Sequence, residues 1–109
     1  MLEYLCDVDR WKGKITFPHD YLPFTDLVVW ERALDRATKI KEVDGTWAFY
    51  AELLPVAIPL VEKWEIKGLP ERVTYDNFPA SPRLVAWLVD CITDLYTKTN
   101  ASDPNSQGG

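Results

Sequence analysis

The sequence predicts a mainly α fold, a compact bundle of three to four helices with a short extended N-terminal segment. Three observations carry this. Apolar residues recur at three- and four-residue steps in three separate stretches, nearly half of the 109 residues are hydrophobic, and the alternating segment near the N-terminus is short. Residues 1–97 read as a single helical domain, and the polar stretch 98–109, KTNASDPNSQGG, as a disordered tail.

The alternating segment is Gly13-Lys14-Ile15-Thr16-Phe17, closed by Pro18. With Tyr4, Leu5 and Val8 ahead of it, a short hairpin is one way to pair it, although turn signals are weak. A ribbon this short needs helices beneath it to be stable.

The first helix starts at Thr25-Asp26, with Pro23 discouraging an earlier start. Leu27, Trp30, Leu34, Ala37 and Ile40 form its apolar stripe, and Asp44-Gly45 ends it. Thr46 is placed to cap a second helix, on which Trp47, Tyr50, Leu54, Ile58, Val61 and Trp64 share one face. Pro55 and Pro59 each remove a backbone donor, so a kink or break near Leu54 is expected. Residues 67–80 read as a loop in which Arg72–Tyr75 is briefly extended. Ser81-Pro82 then supplies a cap and a first-turn proline for a third helix. Leu84, Leu88, Cys91, Ile92 and Leu95 are its buried face, which fades near Thr97.

The composition narrows the function. A net charge of −5 and no basic stripe disfavour nucleic acid and anionic membranes. The longest apolar run, Leu53–Val61, contains two prolines and is about half the ~20 residues of a membrane span. The start MLEYLCDVDRW lacks the pattern of a secretory signal, so a cytoplasmic protein with two reduced thiols, Cys6 and Cys91, is expected.

No active site is visible. His19 is the only histidine, with Asp20, Asp7 and Asp9 near it in sequence. A metal site needs three or four suitably spaced ligands, so a loop histidine with a local hydrogen bond outweighs a ligand or general base. Cys91 lies on an apolar helix face, where a thiol acts as a small hydrophobe. The pair Glu31–Asp35 adjoins Arg32 and Arg36 and reads as a solvated face. The five glycines form no phosphate-binding loop. No metal, cofactor or enzymatic activity is therefore expected.

The five tryptophans are the unusual feature. Trp30, Trp47 and Trp64 fall on expected buried faces, whereas Trp11 and Trp87 do not. Large rings can fill a thin core from unexpected angles, but exposed aromatics also anchor protein interfaces. Three short helices offer too little surface to bury Tyr4, Phe24, Phe49 and Tyr50 as well. On this argument Trp11, Phe49 and Trp87 are the expected partner-binding residues.

From about Gly13 to Tyr96 the order of features resembles that of tail assembly chaperones of long-tailed bacteriophages. The residues concerned are the GKITFP opening, the LVVWERAL helix and the stretch VEKWEIKGLPERVTYDNFPASPRLVAWLVDCITDLY. The resemblance implies a small helical protein of the infected bacterium's cytoplasm that binds the tape measure protein until the tail tube polymerises around it. It also implies a longer product made by ribosomal frameshifting. Self-association into a homo-oligomer is compatible with this role. Two other functions fit the same composition: a small structural subunit of the particle (a head–tail connector or tail-completion protein) and an acidic effector that inhibits a host protein.

Overall fold

The fold was obtained as a computed structural model that describes residues 1–101. Along the chain run β1 (Leu2–Val8), β2 (Trp11–Phe17), α1 (Phe24–Asp44), α2 (Thr46–Leu60), β3 (Lys63–Lys67) and α3 (Pro82–Ala101). The strands form one antiparallel sheet in the order β1-β2-β3. The architecture is thus α+β, which corrects the expected helical bundle: the extended N-terminal segment is two thirds of a sheet, and a third strand follows α2.

The hairpin pairs Leu2 with Phe17 and Val8 with Trp11, leaving Asp9-Arg10 as a two-residue turn with Asp9 at φ +51°. Asp9 tolerates this left-handed geometry better than most residues, and its carboxylate is held by Arg83 of α3. Alternation then sorts the side chains by face. Tyr4, Cys6, Val8, Trp11, Ile15, Phe17, Trp64 and Ile66 face the helices. Glu3, Asp7, Lys12, Lys14, Lys63 and Glu65 lie on the opposite face, cross-linked by Lys14–Glu3 at 2.7 Å, Lys63–Glu65 at 3.3 Å and the Lys12–Asp7 pair.

The third strand displaces part of the expected second helix. Val61 and Trp64 fit the helical spacing set by Trp47, but the helix stops at Leu60. One residue past Val61, the Glu62 N–H donates to the Thr16 carbonyl at 2.8 Å. From there Lys-Trp-Glu-Ile-Lys pairs with β2, placing Trp64 opposite Ile15 and Ile66 opposite Gly13.

The prolines do not break α2, which runs unbroken from Thr46 to Leu60. Pro55 and Pro59 are four residues apart, so both lie on the exposed face, while Leu53, Leu54, Ala57 and Ile58 are buried. The carbonyls that lose helical donors, those of Ala51 and Pro55, therefore sit on the wet side, where the loss is small.

Gly45, at φ +89°, is the whole connection between α1 and α2. Lys41 lies over Phe49, Arg36 reaches Glu52 at 3.5 Å, and Val29 shares a groove with Val56 and Leu60, so the two helices run antiparallel. Neither helix has a side-chain cap, and Pro23 and Gly45 rather than Asp26 or Thr46 precede their first turns.

The third helix matches its expected start. The Leu84 N–H donates to Ser81 Oγ at 3.2 Å, and Leu84, Val85, Leu88, Cys91, Ile92 and Leu95 are all buried. It continues to Ala101 rather than fading near Thr97. Thr99 Oγ1 accepts the Leu22 N–H at 2.9 Å there, tying the end of the helix to the segment before α1. Residues 98–101 are thus helical, and the remainder of the expected tail lies outside the described residues.

Candidate protein-docking groove

None of the three residues expected to bind a partner lines the aromatic groove between α2 and the segment that joins β3 to α3. Trp11 opens β2 on the sheet's inner face, in register with Ile15 and Phe17, and is only 8% exposed. Its placement as a surface anchor is corrected by this burial. The Arg10 guanidinium lies 5.1 Å from its ring. Trp87 is half-buried: its indole N–H donates to the Leu5 carbonyl at 3.1 Å, on the outer edge of β1. A helix side chain thereby occupies an acceptor that an edge strand would otherwise leave open. Phe49 is half-buried on the α1 side of α2, edge-on to Tyr50 at 5.8 Å and beneath the Lys41 ammonium.

Trp47, expected in the core, is 54% exposed. It stands in the first turn of α2, ahead of the Leu53–Ile58 stripe that packs inward. Trp47, Tyr50, Ala51 and Leu54 form an i, i+3, i+4, i+7 row along that helix. Across from them the segment between β3 and α3 supplies Tyr75, Asp76, Phe78 and Pro79. Between the two walls lies a groove of about 300 Å³. Trp47 and Tyr50 meet edge to face at 6.2 Å, and Tyr75 is 49% exposed at the opposite rim.

The second wall is held by its own hydrogen bonds. Asn77 Oδ1 accepts the Thr74 N–H at 2.7 Å, the Asn77 N–H donates to Thr74 Oγ1, and Asn77 Nδ2 donates to the Arg72 carbonyl at 2.7 Å. Phe78 packs edge-on against Trp64 at 6.2 Å, anchoring the segment to the sheet. The groove therefore has one internally hydrogen-bonded wall, an aromatic lining and one carboxylate side chain, Asp76. Nothing in the local sequence pattern shows that residues 75–79 face α2. The only sequence signal was the excess of aromatics.

Elsewhere, the two thiols are buried and several titratable side chains are locally paired. Burial pushes the Cys91 thiol up to about 12 and raises that of Cys6, whose Sγ donates to the Trp11 carbonyl at 3.4 Å. Neither thiol is an available nucleophile at neutral pH. Burial and the hydrogen bond to Asp94, 2.6 Å away, raise the Tyr4 phenol. The same bond, with one from Lys98, holds the Asp94 carboxyl below its usual range. This cluster staples α3 to β1. His19 stacks on Tyr21 with ring centres 4.8 Å apart. Among the described residues no three His, Cys, Asp or Glu side chains come close enough to hold a metal ion, and no helix is long and apolar enough to cross a membrane.

No family model matches the chain, and neither does any curated protein or solved structure.

Proposed function

We propose that this chain is a non-catalytic protein-binding module, a tail assembly chaperone whose client, the tape measure protein, docks at the Trp47–Tyr75 groove. The observation that carries the docking is the exposure of Trp47 and Tyr75 on opposite rims of an aromatic-lined cleft. Rings held this way bury large areas at little entropic cost when a partner arrives, which is why Trp and Tyr dominate interface energetics. The identity of the client rests on the resemblance of the GKITFP, LVVWERAL and VEKWEIKGLPERV stretches to those chaperones. The charge of −5 suits a protein that must keep a hydrophobic client soluble. The host bacterial cytoplasm is the compartment this role requires.

Co-expression with the tape measure protein of the same genome tests the proposal. The client is expected to stay soluble and to co-purify with several copies of this chain. Trp47→Ala is expected to weaken that complex while leaving the far-ultraviolet circular dichroism unchanged. A client equally soluble alone, with no complex formed, favours a structural subunit of the particle instead.

A further inference from the structure

The geometry points to an arginine side chain of the client, set among apolar residues, as what the Trp47–Tyr75 groove selects; this rests on the docking proposed above. The groove carries acceptors and ring faces but no cation. Asp76 is its one ionised lining residue, and among the described residues this carboxylate enters no ion pair or hydrogen bond. Asp7, Asp9, Asp35 and Asp94 are each matched to a lysine or arginine, and the other unpaired aspartates, Asp20, Asp26 and Asp44 among them, stand outside this groove. Trp47, Tyr50 and Tyr75 add π-faces.

A carboxylate and aromatic faces around one cleft are chemically complementary to a planar, multi-donor cation. A guanidinium stacks on rings and directs several N–H groups at once, and it is less strongly hydrated than an ammonium. Flanking apolar residues of the client would cover Leu54, Phe78 and Pro79.

The test uses a blocked heptapeptide with one central arginine among alanines and leucines, beside its citrulline counterpart, which keeps the shape and loses the charge. Titrations are followed by NMR at the Trp47 indole N–H, assigned with Trp47→Phe, and at the Asp76 backbone amide. Saturable shifts at both signals are expected with the arginine peptide, and binding about tenfold weaker with citrulline. In Asp76→Asn, a change in an exposed loop, that preference should vanish. Equal binding of the two peptides overturns the arginine assignment and leaves the docking proposal standing. The assignment is also overturned if neither peptide shifts Trp47 while the client complex still depends on that residue. A client complex indifferent to Trp47→Ala overturns the docking proposal itself, and the arginine assignment with it.

Discussion

Gly13→Ala should remove about 3–5 kcal/mol of stability, overpacking and an unfavourable φ acting together. Gly13 lies in the middle of the central strand, opposite Cys6 on one side and Ile66 on the other. Its φ of +148° is one that side-chain-bearing residues rarely adopt. A Cβ there would overlap the Glu65 carbonyl oxygen and come within 2.9 Å of Ile66 Cα. These are backbone atoms, so no rotamer change relieves the clash, and β3 must move off β2. That movement would also disturb Trp64, which supports Phe78 and with it one wall of the groove. Urea melts should show a lower midpoint for the variant, with amide exchange accelerated first in residues 63–67. A loss below about 1 kcal/mol, the ordinary effect of a point substitution, would mean that the β2–β3 approach is looser than described.

The second large effect is expected at Leu88→Ala, at ~2–5 kcal/mol. Leu88 is fully buried, on the α3 face shared by Leu84, Cys91, Ile92 and Leu95. Its removal leaves a void among residues already held by the sheet on one side and α2 on the other, with little freedom to collapse into it. A change below about 0.5 kcal/mol, typical of surface sites, would place a different face of α3 against the core.

How readily each part of the fold is legible from sequence depends on how local its determinants are. The start and buried face of the third helix are written in the sequence: a serine cap, a first-turn proline and an unbroken apolar stripe, all of which act within a few residues. The first helix is nearly as clear. The third strand was hidden because Val61 and Trp64 continue the spacing of Trp47, Tyr50, Leu54 and Ile58, so a helical reading absorbed them. The competing signal was the two-residue period of Lys63-Trp64-Glu65-Ile66-Lys67, which only wins once β2 offers a partner. The hairpin was obscured by its turn, Asp9-Arg10, which lacks the glycine that usually marks such connections. That concealed Trp11 as the first inward residue of a strand.

The groove was less legible still. Trp87 lay off the apolar stripe of its helix and so read as free, yet its indole satisfies a carbonyl 82 residues away. Trp47 lay on a stripe and so read as core, but the helix end it occupies extends past the packed part of α2. Both misplacements have one origin: helical periodicity gives the direction of a side chain, not whether anything stands there to meet it.

The docking of a client at the Trp47–Tyr75 groove is tested most directly by hydrogen–deuterium exchange on this chain alone and in complex with the tape measure protein. Protection on complex formation is expected in residues 46–54 and 74–80, the two walls of the groove, with the outer face of the sheet unchanged. Protection confined to the Trp87 side of α3 and the β1 edge, with the groove walls exchanging as in the free chain, would contradict it.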